Sequence, residues 1–519
     1  MSDNCIESEV LIIGGGIAGG TAALQLAEAG SPVLLITRGR APEESNTYYA
    51  QGGIIFRGAD DSPDLLTEDL TRAGAGRNQP TAVQILANEG PDLVQKILVD
   101  KVGVPFERDE AGKLAVIREA AHSTKRILHA ADVTGRAIEV ALMRALQAHP
   151  NVTILTGHTA VDLLTPAHHS QDRLAVYDPV SCVGAYVLDQ NTGQVKTCLA
   201  RKTILATGGI GQIYLRTTNP EGARGDGVAM AYRAGARVIN AEFVQFHPTT
   251  FHKRYAPPFL ISEAVRGAGA RLVNADGRPF MQEYAPEWKD LAPRDVVARS
   301  IHREMEKQGV PHVFLDLRSY IEPDVISSHF PGISEQCAQY GVDIQRDLAP
   351  VVPGAHYFCG GVWADEYGRT TIQNLYAIGE VSCTGVHGAN RLGSASLLEG
   401  LVWGNRAAQD VKQSLARQPF PADDIPSWQN GDLGAPDPAL IRQDMSTIQH
   451  IMWNYVGLVR NTWRLERAIR ELRHLETEIE RFYRRASLTD ELIGLRNGVR
   501  TAVIVAQASV VDMMSENRL

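Results

Sequence analysis

Val10-Leu11-Ile12-Ile13-Gly14-Gly15-Gly16-Ile17-Ala18-Gly19 decides how this chain is read. Four apolar residues of strand-forming type enter a run of glycines, and the small-residue segment Thr21 to Ala29 follows as a helix. Gly14, Gly16 and Gly19 hold the places of a G-x-G-x-x-G turn. The first permits the tight turn, the second lets backbone approach a pyrophosphate, and the third lets helix and strand pack closely. Gly15, Ile17 and Ala18 belong to the same turn, where a helix N-terminus offers free N–H groups and partial positive charge to phosphates. A second apolar strand, Pro32 to Ile36, completes the strand–turn–helix–strand order expected of a dinucleotide site.

Composition limits what surrounds this unit. A chain of 519 residues exceeds one ordinary core, so two or three domains are expected. A hydrophobic fraction of 44% with 21% charged residues describes a soluble globular protein. The net charge of -9 disfavours nucleic acid or an anionic membrane as partner. Cys5, Cys182, Cys198, Cys337, Cys359 and Cys383 form no C-x-x-C pair, so neither a zinc nor an iron–sulfur site is signalled, and scattered cysteines fit a reducing compartment. Met1 to Glu9 is polar and acidic, unlike a signal peptide. No apolar run reaches the ~18 residues that span a bilayer. A cytoplasmic protein without metal, nucleic-acid or membrane contacts is expected.

Along the chain, Thr37-Arg38 stands where a dinucleotide site for NAD carries an acidic residue. A flavin dinucleotide with altered adenosine-end contacts, Arg38 among them, suits this better. Asn46-Thr47-Tyr48-Tyr49-Ala50-Gln51-Gly52-Gly53 reads as a loop whose small residues let backbone approach a ring system. Residues 60 to 110 have helical spacing, Gly135 to Gln147 is an amphipathic helix, and Val152 to Leu155, Ala185 to Leu188 and Thr203 to Leu205 read as strands. Asp226 opens a helix from Val228 to Ala234, either as a simple N-cap or as a ligand of a sugar hydroxyl. Residues 242 to 353, where polar groups crowd among apolar ones, read as an inserted domain. At Leu375 to Glu380 a strand with a glycine turn resumes the nucleotide domain, and a small-residue helix containing Ser396 and Leu397 follows. The expected division is 1–241 and 354–417 for the nucleotide domain, 242–353 for the inserted domain, 418–438 as a Pro/Gly linker, and 439–519 as a helical bundle. Ile441, Met445, Ile448 and Met452 share one helical face, as do Leu465, Ile469, Leu472 and Ile479.

Together these stretches resemble the fumarate reductase/succinate dehydrogenase flavoprotein family, and within it the branch that oxidises L-aspartate. The likeness covers nearly the whole length. It rests on the glycine turn, Ala50 to Gly53, Ile127 to Asp132, Gln245-Phe246-His247-Pro248-Thr249, Pro293-Arg294-Asp295, His356-Tyr357 with Cys359-Gly360-Gly361, and His387-Gly388-Ala389-Asn390-Arg391. The resemblance implies an α/β FAD-binding Rossmann-like domain interrupted by an α+β capping domain, with a C-terminal helical bundle. It adds Glu380, Ser396 and Leu397 to the cofactor contacts. Asn46 stands where respiratory members carry a histidine bonded to FAD, so non-covalent FAD is expected.

The resemblance also implies the site. Arg391 clamps a substrate carboxylate through its planar fork, supported by His356, His247, Gln245 and Ser262. Arg294 orients and stabilises charge, since a guanidinium is a poor base, and Glu263 with Arg266 relays protons in the fumarate direction. Glu119 stands where oxidase members carry a glutamate near the substrate, and it would meet the ammonium of an amino acid. Ser262 replaces the usual threonine, and Ala268 a common glutamate. The expected activity is oxidation of L-aspartate to iminoaspartate with oxygen or fumarate as acceptor, the first step of NAD synthesis by the quinolinate route, with transient contact to quinolinate synthase. The rivals are the flavoprotein subunit of a fumarate/succinate complex, a flavin protein acting on tRNA, and a non-catalytic FAD scaffold.

Overall fold

The computed structural model describes residues 5–119, 121–131, 133–257, 259–415, 425–429 and 434–516. Ala120 and Asp132 in the quoted motifs, and residues 418–424 and 430–433 of the expected linker, lie outside the described residues.

Strand Cys5–Ile13 lies centrally in a seven-stranded sheet, paired in parallel with Val33–Thr37 on one side and Gln194–Leu205 on the other. Its inner residues are apolar without alternation because both faces are covered. Leu11 and Ile13, with Leu34 and Ile36, face one core; Val10 and Ile12, with Val33 and Leu35, face the other. Strand Val152–Thr156 extends the sheet beyond Val33–Thr37. The long strand Gln194–Leu205 pairs antiparallel with Gly184–Asp189 over its first half and parallel with Leu375–Ala377 at its end. The chain therefore returns to the same sheet after the inserted segment.

Gly14 has φ +110°, and a Cβ there would meet Ala206 O at 2.2 Å. A Cβ on Gly19 would lie 2.0 Å from Gly14 O, so the third motif glycine is set by strand–helix packing. The helix spans Ile17–Glu28, four residues earlier than the small-residue count placed it. It begins directly at the turn, with Ile17 N–H donating to Thr47 Oγ1 at 3.0 Å.

The cap is a four-stranded antiparallel sheet in the order Val244–Phe251, Ala349–Phe358, Val313–Asp316, Arg271–Val273, over its own core from Phe251 to Val351. Strand Ala349–Phe358 runs across the 353/354 boundary drawn from the sequence. At the C-terminus, helices Pro438–Tyr455, Thr462–Tyr483 and Asp490–Glu516 share a core with the nucleotide sheet. The C-terminal helices pack on one another as expected and also on the sheet: Ile448, Met452, Leu465 and Leu472 share one core with Leu11, Leu34 and Leu205. No described helix is long and apolar enough to cross a membrane.

Candidate active site

A cavity of 1220 Å³ runs from the glycine turn, past Arg38 and residues 44–53, to the junction of cap and sheet at His247, Arg294 and Arg391. Its volume exceeds the ~300–1,000 Å³ of ordinary small-molecule pockets, as an extended dinucleotide with a second ligand requires.

The polar end is assembled by four elements. Strand Val244–Phe251 carries Gln245 and His247, and its pairing shifts register at both residues. Such bulges re-aim side chains beside functional sites. The short helix Glu263–Gly267 brings Glu263 and Arg266, with Ser262 capping it through Ala264 N–H to Ser262 Oγ at 3.3 Å. Arg294 is the first residue of helix Arg294–Gln308. Arg391 comes from the loop before helix Ala395–Leu415.

The amide oxygen of Gln245 accepts from Arg391 Nη2 at 3.2 Å and from Arg294 Nη1 at 3.5 Å, so one carboxamide sits between two guanidinium groups. Its Nε2 donates to Asn390 Oδ1 at 2.6 Å and to Arg391 O at 2.8 Å, which fixes it. Arg294 Nε donates to Glu263 Oε2 at 2.6 Å, and Arg266 lies 3.7 Å from the same oxygen. Burial alone would raise the Glu263 carboxyl, but Arg294 and Arg266 override it and hold it below the usual range. Arg294, Glu263 and Arg266 therefore form one continuous ionised row.

Both histidines are neutral. Burial, with Arg294, His356 and Arg266 nearby, holds His247 well below its ordinary value, and burial with Arg391 does the same to His356. Thr249 N–H donates to His247 Nδ1 at 3.2 Å, which assigns the proton to Nε2, a buried atom without a partner among the described residues. Arg391 donates to His356 Nε2 at 2.8 Å, so His356 Nδ1 carries the proton and donates to Thr218 Oγ1 at 2.7 Å. The arrangement offers a free N–H at His247 and a buried unpartnered Nε on Arg391.

Glu119 reaches this end from another side. It follows strand Val116–Ile117, pinned against Ile127–Leu128. Glu119 Oε2 accepts from Ser394 Oγ at 2.7 Å, and Oε1 lies 3.4 Å from Gly53 N. Ser394 has φ +58°, a left-handed conformation that aims its hydroxyl at this carboxylate. A carbon added at Gly393 would lie 3.0 Å from Glu119 Oε2 and 3.6 Å from Arg294 Nη2, so carboxylate and guanidinium flank one edge of the cleft.

Toward the glycine turn, Thr47, Tyr49, Ala50, Gln51, Gly52, Gly53, Ser396 and Leu397 line the same cavity; Tyr48 does not. Glu380 accepts from Asn46 Nδ2 at 2.7 Å and Phe358 N at 3.0 Å, and burial pushes its carboxyl up to about 7. Asp226 lines the cavity but is not an N-cap: Gly225, with φ +81°, takes that place. Its Oδ2 is held by Arg224 at 2.9 Å and its Oδ1 by Asn497 at 2.8 Å.

Sequence reasoning missed the groups behind Arg391. The Tyr357 ring lies 4.7 Å beneath its guanidinium. Tyr357 Oη donates to Glu399 Oε2 at 3.0 Å, which also meets His387 Nε2 at 2.9 Å, while Thr384 Oγ1 donates to Glu399 Oε1. Tyr357 and His387 stood in the quoted motifs, but only the fold brings Glu399 to them.

The family model described as FAD binding domain matches residues 9–397. L-aspartate oxidase 1 of Ralstonia nicotianae is 44% identical over 506 residues, spanning 97% of this chain and 92% of that protein. L-aspartate oxidase of Halobacterium salinarum is 42% identical, spanning 97% and 94% respectively. Among solved structures, the flavoprotein of E. coli quinol fumarate reductase superposes with a TM-score of 0.86 at 28% identity, covering 97% of this chain and 89% of that one. A Mycobacterium smegmatis succinate dehydrogenase, Sdh1, gives a TM-score of 0.81 at 27% identity, covering 98% and 87%. With the glycine turn, the cap and the arginine-lined cleft in one continuous cavity, the chain belongs to the FAD-binding flavoproteins of the fumarate reductase/succinate dehydrogenase group and, within them, to the L-aspartate oxidase family.

Proposed function

We propose that this chain oxidises L-aspartate to iminoaspartate using non-covalently held FAD, with oxygen or fumarate as electron acceptor, as the first step of de novo NAD synthesis in the cytoplasm. One observation carries the substrate reading: the charge of the cleft. Arg294 and Arg391 stand at one end of the cavity with Glu119 opposite Arg294 and both histidines neutral, so the cleft offers cations to two carboxylates and a carboxylate to an ammonium. L-aspartate, with two carboxylates and one ammonium, carries one net negative charge. Succinate, without the ammonium, carries two and leaves Glu119 unmatched.

The residues fit FAD. The glycine turn meets a helix N-terminus whose N-cap, Gly16, has no side chain, and Gln51 Oε1 and Thr207 Oγ1 are buried on the cavity wall without a partner among the described residues. The Asn46 carboxamide is engaged with Glu380 and has no nucleophilic ring nitrogen for a covalent link. When bound, FAD supplies the two-electron acceptor for the substrate Cα–H.

The chain's own groups do the rest. Arg391 and the His247 Nε2–H bind carboxylate oxygens. Arg294, locked by Glu263, holds the second carboxylate. Glu119 receives the ammonium and takes up its proton as the C=N bond forms. The Glu263–Arg266 row serves proton delivery when fumarate is reduced. Iminoaspartate hydrolyses in water, so a quinolinate synthase in transient contact would take it up directly.

The test is anaerobic mixing of the yellow protein with L-aspartate, and separately with succinate, while the visible flavin band is followed. Bleaching by aspartate, with colour and peroxide returning in air, is the expected result. Bleaching by succinate and not by aspartate would move the chain to the respiratory branch.

A further inference from the structure

We infer that Asp490, at the start of the last helix, is a positioning residue of the cofactor site: it fixes Arg38 and Arg224 at the adenosine end, so FAD affinity depends on a helix from the far end of the chain. This goes beyond the substrate reading, because it concerns how the cofactor is held.

Arg38 directly follows strand Val33–Thr37, at the place where a dinucleotide unit meets the adenosine ribose. A cation stands there in place of the usual carboxylate, and it lines the same cavity as the glycine turn. Its Nη1 donates to Asp490 Oδ2 at 3.1 Å, while Nη2 reaches Glu44 Oε1 at 3.4 Å. Asp490 is the better anchor, with its side chain 13% exposed against 35% for Glu44. It is also the centre of a larger junction. Asp490 Oδ1 accepts from Thr159 Oγ1 at 2.7 Å and from Arg224 Nη2 at 3.0 Å, and Oδ2 accepts from Arg224 Nη1 at 2.9 Å. Arg224 in turn holds Asp226, whose other oxygen is held by Asn497 of the same helix.

Three cavity-lining side chains, Arg38, Thr159 and Asp226, are thus tied to one helix whose own Asp490 does not line the cavity. The helix does not need Asp490 to dock. Leu492, Ile493, Leu495 and Val499 are buried in the shared core, and Arg496 pairs with Asp162 at 2.7 Å. Asp490 is therefore free to act on orientation: it holds a flexible cation in place before the ligand arrives, which lowers the ordering cost of binding.

The test is fluorescence titration of apoenzyme with FAD, without aspartate, so that its failure leaves the substrate reading untouched. Asp490→Asn should raise the FAD Kd about tenfold, the size of one lost charge-assisted hydrogen bond. Asp490→Glu, which keeps the charge but displaces it, should raise it by a smaller factor and serves where the first variant fails to accumulate. Arg500→Gln, which breaks the Arg500–Glu476 pair elsewhere on the same helix, should leave the Kd unchanged. In an Arg38→Gln background, Asp490→Asn should cost less than it does alone. At saturating FAD, the KM for aspartate should match wild type. A wild-type FAD Kd in both Asp490 variants overturns the inference. So does an equal loss in Arg500→Gln, or full additivity with Arg38→Gln.

Discussion

Glu119→Gln isolates the feature that separates an amino acid from a plain dicarboxylate. The substitution keeps the size of the side chain and one oxygen to accept from Ser394, and it removes one negative charge. The cleft loses the carboxylate that stands opposite Arg294. For aspartate, the ammonium loses its counter-charge opposite Arg294. Two unit charges 4 Å apart at an effective dielectric of 20 attract by about 4 kcal/mol. Desolvation of the ammonium cancels part of this, leaving about 1.5–3 kcal/mol, the net worth of a hydrogen bond to a charged group. The counter-charge alone corresponds to a fall of roughly 10- to 150-fold in kcat/KM for aspartate, and loss of the proton acceptor adds to it. Fumarate has no ammonium to lose and is relieved of a repelling carboxylate, so its reduction by the pre-reduced enzyme should hold or improve. The assay pairs peroxide release from aspartate with fumarate reduction on one preparation, with FAD content and Tm as controls. Equal losses in both reactions, or less than a threefold loss on aspartate, would refute the charge argument.

Other outcomes follow from the same geometry. Arg391→Ala should abolish turnover of dicarboxylates while FAD stays bound, because Arg391 grips Gln245 and His356; loss of FAD on gel filtration would mean that it holds the cofactor. Tyr357→Phe and Glu399→Gln should each raise the aspartate KM, by severing the support beneath Arg391, and the double variant should be little worse than either single one. Burial raises the Glu380 carboxyl from its ordinary 4.5 to about 7, so its contribution is present in full below pH 4.5 and is lost as pH rises to about 7. Apoenzyme carrying Glu380→Gln should accordingly gain about 3 kcal/mol over wild type above pH 7 and little near pH 4.5, read by denaturant melts at both values. Since both cleft histidines are held well below their ordinary range, kcat/KM for aspartate should show no acid limb near the usual histidine pKa of about 6.5.

What was legible in the sequence was what local rules determine. The glycine turn was readable because its three glycines answer to contacts within or next to the unit, as Gly19 against Gly14 O shows. The doubly buried strand Val10–Ile13 announced itself by an unbroken apolar run. His247, Arg294, His356 and Arg391 were found through their motif contexts, and the fold brings all four to one end of the cavity. Their roles were not legible in the same way. That His247 keeps a free Nε2–H depends on Thr249 taking its other nitrogen, which in turn depends on a strand bulge.

The adenosine end shows why the rest stayed hidden. Thr37-Arg38 pointed to a cationic adenosine-end contact without showing what holds it, because the rule for that position looks about 20 residues beyond the turn for one carboxylate. Arg38 is held instead from outside the cavity by Asp490, separated from it by 452 positions. Nothing local marks it: Asp490 reads as an ordinary acidic residue in the first turn of a helix, where the helix dipole alone would favour it. The same holds for Asp226, whose position at a helix start suggested a cap, while Arg224 and Asn497 make it a link to the last helix. A carboxylate recruited from a distant helix makes the cofactor site depend on C-terminal docking. A ribose-binding residue on the second strand would not. Cofactor loss and C-terminal unfolding are therefore coupled in this chain: holoenzyme should resist proteolysis between residues 484 and 516 far longer than apoenzyme, and equal cleavage rates would show that the two ends are independent.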